Sequence, residues 1–161
     1  MTVAEYNHAV NEYADKVYRF ILKNIQEENA AQDIVQDSFE KLWIKHDHVN
    51  YSKVKSYLFT AAYHTMIDYT RRQKNQVEID QLNQMKVGEN MNEFDLKAQL
   101  NRALSRIPEI QRSVILLRDY EGYNYAEIGE ITGLSESQVK VYIYRARLAL
   151  RKLIGSPEVL I

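Results

Sequence analysis

The sequence predicts an all-α fold, made of two small helical domains or lobes joined by a flexible linker. Only 5 Gly and 2 Pro occur in 161 residues, so long stretches lack the residues that interrupt helices. Apolar residues also recur at helical spacing on both sides of a polar, acidic stretch that contains Gly88. We therefore expect a first lobe over residues 1–75, a linker over residues 76–94 and a second lobe over residues 95–161.

The composition is that of a folded, soluble domain and excludes several kinds of site. Hydrophobic residues make up 45% of the chain and charged residues 27%, proportions that are typical of a globular protein. Because there is no cysteine, disulfides, thiol catalysis and cysteine-based zinc sites are excluded. No stretch approaches the roughly 18 apolar residues of a membrane span, and the N-terminus lacks the apolar run of a signal peptide. We expect a cytoplasmic protein without direct membrane insertion.

The distribution of charge predicts that the chain contacts nucleic acid with the help of a larger partner. The net charge is −1, whereas a freestanding nucleic-acid binder usually carries a basic excess. Here the cations are local, in one cluster over residues 71–74 and another over residues 140–152. Such a chain could touch DNA at two places and yet bind it poorly alone.

In the first lobe, a predicted helix from Asn29 to about Lys45 carries an acidic face. Asn29 followed by Gln32 three residues later has the form of an N-cap with a capping residue at N3. An acidic face is ordinarily just solvated. Ile44, however, places an apolar side chain within it, which indicates a partner surface. The rest of this face consists of Asp33, Gln36, Asp37 and Glu40, opposite Val35, Phe39, Leu42 and His46.

The next predicted helix, from about Ser52 to Lys74, has a polar face that ends in cations. Hydroxyls and the ring of Tyr63 precede Arg71 and Arg72 on that face, a combination that suits single-stranded nucleic acid. The cations could equally complement the helix dipole at its C-terminal end, with Tyr63 at the rim of the core. Composition alone does not separate these two interpretations.

The second lobe contains the pattern of a helix-turn-helix. Asn124 with Glu127 at N3 predicts the start of a short helix, and Gly133 predicts its left-handed C-terminal turn. Ser135 with Gln138 predicts the start of the last helix. In this motif the second helix enters the major groove of DNA.

The outward face of the last helix is rich in cations, although any amphipathic helix can have a basic outer face. We predict a buried stripe over Val139, Ile143, Ala146, Leu150 and Leu153. Base edges would be read from the first two turns, where the exposed Val141 could rest on a thymine methyl group. Phosphate contacts would come from the cations that follow.

The chain resembles the extracytoplasmic-function sigma factors, the smallest group of the bacterial sigma family. Residues 31–39 with Leu42 and Trp43 resemble the polymerase-binding segment of region 2, and residues 56–59 and 67–72 resemble its promoter-melting helix. The patterns at 104–108, 125–129, 133–140 and 145–147 resemble region 4. The resemblance covers nearly the whole chain in the family's order.

The resemblance implies roles for the faces described above. The acidic face would dock on the clamp of the large polymerase subunit, with the polymerase flap as a further contact. An anti-sigma factor would be a partner, and the chain would have no catalytic residue, cofactor or metal of its own. The implied polymerase-binding residues are Asp33, Gln36, Asp37, Glu40 and Ile44. The implied −10 residues are Asn50, Tyr51, Lys53, Tyr63, His64, Asp68, Arg71, Arg72 and Lys74. The implied −35 residues are Glu136, Ser137, Gln138, Lys140, Val141, Tyr144, Arg145 and Arg147.

Two pairs of residues depart from the family's usual pattern. Tyr63 and His64 stand where the family commonly has Arg-Asn, and Val141 and Tyr142 stand where it often has Ser-Arg. These changes affect the promoter sequence that would be read.

Two alternative functions predict different features of the sequence. A freestanding helix-turn-helix regulator explains the second lobe but gives the acidic face of the first lobe no role. A metal-dependent hydrolase would use His46, Asp47 and His48 with His8 or His64. Helical positions two apart point about 200° apart, so His46 and His48 would not converge on one helix.

Overall fold

The computed structural model describes residues 1–80 and 96–155, and the all-α prediction is confirmed there. No strand occurs in these residues, and none of their helices is long and apolar enough to cross a membrane. The helices are α1 (Val3–Ile25), α2 (Glu28–Ile44), α3 (Val54–Asp80), α4 (Leu96–Arg106), α5 (Glu109–Ile115), α6 (Tyr125–Thr132) and α7 (Glu136–Ile154). A 3₁₀ turn at Tyr51–Lys53 precedes α3, and a π-helical segment at Leu116–Tyr120 continues α5.

The start of α2 differs from the sequence prediction. The N-cap is Glu27 and not Asn29, because the Glu27 carboxylate accepts the backbone N–H groups of Asn29 (3.2 Å) and Ala30 (2.6 Å). A carboxylate satisfies two otherwise unpaired N–H groups at once and carries the charge that a helix N-terminus favours. The predicted Asn29 cap is therefore wrong by two residues.

Helix α3 extends further than the sequence prediction. It runs to Asp80, beyond the helix end predicted at Lys74 and into the segment predicted as a linker. No Gly or Pro occurs between Val54 and Asp80 to end the helix. The remainder of the predicted linker and residues 156–161 lie outside the described residues.

The first lobe is a bundle of α1, α2 and α3. Phe20 of α1, Leu42 of α2 and Leu58 of α3 are almost completely buried at its centre. The buried face of α2 differs from the predicted apolar stripe. Ile34 and Ser38 are buried, while Val35 is only half-buried. His46 lies beyond the end of the helix, where its ring stacks on Trp43 (centroids 4.5 Å apart).

The second lobe packs α7 against α4, α5 and α6. Its core includes Leu117, Ile131 and Ile143. The buried stripe predicted for α7 is observed at Val139, Ile143, Ala146 and Leu150. The prediction is wrong for Leu153, which is 41% exposed.

The two lobes pack against each other and share one hydrophobic core. Helix α6 lies on α3, and α4 and α5 lie on α1. The rings of Phe59 in α3 and Tyr123 before α6 meet edge to face, with centroids 5.5 Å apart. In this arrangement α1 and α3 of the first lobe both contact helices of the second lobe.

Candidate nucleic-acid and polymerase interface

The helix-turn-helix of the second lobe has the predicted caps. The Asn124 side chain accepts the Glu127 N–H (2.8 Å), and the Glu127 carboxylate accepts the Asn124 N–H (3.0 Å). The same reciprocal pair joins Ser135 and Gln138 at 3.2 and 3.0 Å. Gly133 ends α6 with a φ of 80°, in the left-handed region that favours glycine. The turn geometry is thus specified at both of its ends.

The turn also requires a small residue within α6. A Cβ added at Gly129 would lie 2.7 Å from the carbonyl oxygen of Leu134, closer than real Cβ contacts come. Gly129 therefore lets the backbone of the turn fold back onto α6. This close approach sets the position from which α7 leaves the turn.

The first turns of α7 are open to solvent. Most of the predicted −35 side chains are exposed, including the apolar Val141 (45%) and Tyr144 (65%). One member has a second role, because the side-chain oxygen of Gln138 is held by the capping box. The exposed set is Glu136, Ser137, Gln138, Lys140, Val141, Tyr144 and Arg145.

Arg147 differs from the other predicted −35 residues. It is half-buried, and its guanidinium donates to the Asp119 carboxylate at 2.9 Å. Asp119 lies in the π-helical segment, so the pair ties α7 to the end of α5. A DNA contact by Arg147 would have to share or replace this partner.

Lys140 is oriented by an aromatic ring. Its ammonium lies 5.5 Å from the centroid of the Tyr125 ring, and the Arg118 guanidinium lies 4.7 Å from the same centroid. Such cation–π contacts favour a fixed position for a surface cation. Lys140 is therefore held beside the turn, at the end of α7 that would enter a groove.

The basic end of α3 is exposed. His64, Asp68, Arg71, Arg72 and Lys74 all face solvent. Within residues 1–80 and 96–155, none of the three cations among them forms an ion pair. Their charge is thus available to a polyanion.

Tyr63 is a buried residue of α3. One interpretation put it on the exposed polar face of α3 and the other at the rim of the core, and the side chain is buried at 5% exposure. Burial, together with the smaller effect of the nearby Glu109 carboxylate, raises its pKa to about 12. The first interpretation is wrong because the second lobe covers this face of α3, where Thr70 also donates to Glu109 at 2.7 Å.

The loop before α3 is ordered by a local cap. The Asn50 side chain accepts the Ser52 N–H at 3.2 Å and starts the 3₁₀ turn. Lys53 is exposed and Tyr51 is half-buried, with its ring 5.9 Å from that of His8. Of the predicted −10 residues here, Lys53 and Asn50 are the more accessible.

The predicted polymerase face of α2 is exposed except at one residue. Asp33, Gln36 and Glu40 face solvent. Asp37 is half-buried, because its carboxylate lies 3.0 Å from the Lys41 ammonium and accepts the Thr65 hydroxyl at 3.0 Å. Asp37 therefore joins α2 to α3, in addition to any role at the surface.

A cleft of about 460 Å³ between α2 and α3 joins two of the predicted surfaces. Asp33 and Asp37 line it from α2, and Thr65 and Arg72 line it from α3. The acidic polymerase face and the basic −10 face thus meet along one border.

Known proteins match both lobes. Residues 9–76 match the family described as sigma-70 region 2, and residues 97–150 match the family described as sigma-70, region 4. The ECF RNA polymerase sigma factor SigM of Bacillus subtilis strain 168 is 32% identical over 146 residues, covering 88% of this chain and 90% of SigM. This chain is an ECF sigma factor. The RNA polymerase sigma factor SigV of the same organism is 28% identical over 143 residues, covering 88% of this sigma factor and 86% of SigV.

Solved structures share the fold. This sigma factor superposes with a TM-score of 0.77 on RpoE of Bartonella quintana, solved in complex with the anti-sigma factor NepR. The identity is 23%, and the match covers 95% of this sigma factor and 98% of RpoE. CnrH, solved with the cytosolic domain of CnrY, matches with a TM-score of 0.69 and 22% identity over 93% of this sigma factor and 87% of CnrH.

The sigma factor has a second exposed apolar residue beside Ile44. Trp43 is 43% exposed beside Ile44, which is 77% exposed, so the predicted apolar point on the acidic face is a larger patch. Tyr6 from α1 supports it, with its ring 5.0 Å from the indole and its hydroxyl donating to the Phe39 carbonyl at 3.1 Å. Aromatic residues are enriched in protein interfaces relative to the rest of the surface, so an exposed patch of this kind indicates an interaction site.

The structure gives no support to the metal-hydrolase alternative. In the part of the chain that the structure describes, no group of three His, Asp or Glu side chains is placed to hold a metal ion. The His46 ring instead contacts the Trp43 carbonyl oxygen (2.6 Å) and the Asp47 carboxylate (3.2 Å).

Proposed function

We propose that the two lobes divide promoter recognition, with the first lobe contacting the −10 element and the second reading the −35 element. The observation that carries the proposal is the presence of two separate basic surfaces on a chain of net charge −1. One is the exposed end of α3 and the other is the exposed face of α7. Cations supply phosphate contacts, and side chains in the first turns of a recognition helix read base edges.

The start of α7 is proposed to provide the −35 specificity. Ser137, Lys140 and Val141 are exposed where the second helix of a helix-turn-helix meets the major groove. Arg145 follows one turn later as a phosphate contact. The closed turn around Gly129 supports this role, since it fixes the angle of α7.

Core polymerase is the partner proposed to deliver the chain to DNA. Asp33, Gln36 and Glu40, together with the patch of Trp43 and Ile44, would dock on the clamp of the large subunit, with the flap as a second contact. An apolar centre with a charged rim is the usual anatomy of a protein interface. Polymerase forms the phosphodiester bonds, and the sigma factor contributes binding free energy and no catalytic group.

An anti-sigma factor is proposed as a further partner, and the cytoplasm as the site of action. RpoE and CnrH, which share the fold, were solved with NepR and CnrY. Polymerase and promoter DNA are both found in the bacterial cytoplasm. The chain has no cysteine, so it forms no disulfide that would require an oxidising compartment.

Run-off transcription with purified core polymerase tests the proposal. Adding the protein to genomic fragments of its source should produce new, discrete start sites. Lys140→Ala should reduce transcription from promoters that depend on their −35 element by about tenfold, as expected for the loss of 1 to 2 kcal/mol. Lys97→Ala, which removes an exposed cation from α4, is the matched control and should leave transcription unchanged. Failure of the protein to bind polymerase, with tight promoter binding alone, would favour a freestanding regulator.

A further inference from the structure

The first turns of α7 carry a small cleft on their outward face. The cleft has a volume of about 190 Å³. Val141, which is 45% exposed, is one of the side chains that line it, and Ser137 lies one helical turn earlier on the same face. Residues near the start of the second helix of a helix-turn-helix face the base edges in the major groove. The lining residues are Ser137, Gln138, Val141, Tyr142 and Arg145.

One wall of the cleft is anchored to the core of the second lobe. Tyr142 is half-buried and packs against the hydrophobic core. The Arg145 guanidinium carbon lies 5.9 Å from the centroid of the Tyr142 ring, a contact that favours a fixed position for this cation. The cleft therefore has an aromatic wall of fixed position beside the exposed methyl groups of Val141.

Two polar side chains at the start of α7 are engaged within the protein. The Gln138 side-chain oxygen accepts the Ser135 N–H at 3.0 Å, whereas a glutamine needs both its oxygen and its amide group to recognise adenine. The Lys140 ammonium lies 5.5 Å from the centroid of the Tyr125 ring. Val141 is exposed without such a constraint, so an apolar contact is available where these polar contacts are restricted.

Thymine is the base whose major-groove edge suits this cleft. The edges of the other bases display only hydrogen-bond donors and acceptors there, whereas thymine adds a 5-methyl group beside its O4 acceptor. Contact with Val141 removes that methyl group from water, which is favourable. The Ser137 hydroxyl is exposed one turn earlier and can donate to O4. Both groups on the edge of one thymine thus have a partner of matching chemistry.

We propose that this cleft receives the 5-methyl group of one thymine in the −35 element, and that Val141 thereby selects a thymine–adenine pair at that position. The inference rests on the proposed function, because it assigns a base to the start of α7. The methyl group itself is recognised. 5-Methylcytosine, which carries a methyl group at the same ring position, is therefore accepted better than cytosine.

Removal of single methyl groups from promoter DNA tests the cleft. Run-off mapping on genomic fragments of the source supplies the −35 elements, which should share a thymine at one position on either strand. Deoxyuridine, which pairs as thymine does and lacks only the methyl group, then replaces each thymine of the element in turn. At one position the replacement should lower the affinity of the polymerase–sigma holoenzyme about threefold to fivefold, as expected for one methyl group left in water.

Val141→Ser connects that methyl group to the residue. The variant removes both methyl groups of Val141, so promoters with thymine or deoxyuridine at the critical position should bind equally well. Leu148→Ala is the matched control, because it shortens an exposed apolar side chain about two turns further along α7, outside the cleft. The control should keep the preference of the wild type for thymine.

Cytosine methylation gives an independent test that uses the wild-type protein. A cytosine–guanine pair replaces the critical thymine–adenine pair, with or without a 5-methyl group on the cytosine. The methylated fragment should bind about threefold more tightly to the wild-type holoenzyme, by the same removal of a methyl group from water. With Val141→Ser the two fragments should bind equally well.

Four results would overturn the proposal. They are −35 elements that share no thymine, equal affinity for thymine and deoxyuridine at every position, no gain from 5-methylcytosine, and the same deoxyuridine penalty in Val141→Ser as in the wild type. A holoenzyme that starts no new transcripts would instead count against the proposed function, so the two failures are distinguishable. Circular dichroism checks that Val141→Ser is folded, and the tests on the wild type do not depend on it.

Discussion

Helices α3 and α7 were both predicted to contact DNA, and they differ in how well their faces could be predicted. The main helix contacts of α7 are with α4, α5 and α6 of its own lobe, whereas α3 packs on α1 and α2 and also on α6 of the other lobe. The outward face of α7 is accordingly open at Lys140 and Val141, while Tyr63 on the predicted outward face of α3 is buried. Periodicity identifies an exposed face when a helix has one set of neighbours. It misses burial that a distant segment adds.

The largest expected difference between the two helices is in stability. Phe59→Ala in α3 should lower the free energy of unfolding by about 3 to 5 kcal/mol, because its ring packs between those of Phe20 and Tyr123. Tyr144→Ala on α7 should change it by less than about 0.5 kcal/mol, because that side chain is 65% exposed. Urea unfolding monitored by circular dichroism measures the free energy of unfolding of both variants. Similar losses of stability in the two would contradict the difference in burial between these two side chains.

Alkaline pH should distinguish the buried face of α3. Burial raises the pKa of Tyr63 from 10.0 to about 12, so between these values the unfolded chain has lost the proton that the folded chain keeps. The stabilising contribution is present below pH 10 and is lost as the pH rises towards 12, by about 2 to 3 kcal/mol. The difference in unfolding free energy between wild type and Tyr63→Phe should therefore shift in favour of the variant over this range. A difference independent of pH would mean that Tyr63 is exposed.

The turn before α7 should be sensitive to a single methyl group. Gly129→Ala should cost roughly 1 to 3 kcal/mol, because the added Cβ would meet the Leu134 carbonyl at 2.7 Å and force the backbone to move. Gly133→Ala is the comparison, since its φ of 80° is strained for alanine but nothing lies within 4 Å of the added Cβ. Thermal melts measure both. Loss of −35-dependent transcription by Gly129→Ala at a temperature where the protein is folded would show that the turn angle matters for function.

A smaller loss of stability than at Phe59 is expected at the cap of α7. Ser135→Ala removes the side-chain acceptor of the Gln138 N–H and should cost about 1 kcal/mol. Ser135→Asp keeps an acceptor at that position and should retain most of the stability. Equal melting temperatures for Ser135→Ala and wild type would mean that the cap contributes little.

The parts of the fold that sequence reasoning predicted depend on local contacts. The Asn124–Glu127 and Ser135–Gln138 caps each join residues three apart, so the pattern and its cause lie within one turn. The match to sigma factors likewise followed from ordered short motifs. The start of α2 was missed because a glutamate is a less usual cap than the Asn29 that follows it.

The parts that were missed depend on distant contacts. The contact between the two lobes brings Asn24 to Ser113, which are 89 positions apart in the sequence, and Thr70 to Glu109, which are 39 positions apart. The spacing of these residues along the sequence does not indicate that they meet in the fold. The Asp119 partner of Arg147 was missed for the same reason, since one belongs to the π-helical segment and the other to α7.

Trp43 gives this protein an intrinsic optical reporter. It is the only tryptophan in the sequence, and it stands 43% exposed on the acidic face, stacked on His46. Indole emission shifts to shorter wavelength when water is excluded from the ring, so unlabelled protein would signal a partner that covers this face. Because the ring lies on α2, whose main contacts are with α1 and α3 of its own lobe, fluorescence would report on docking at this face separately from binding at the second lobe.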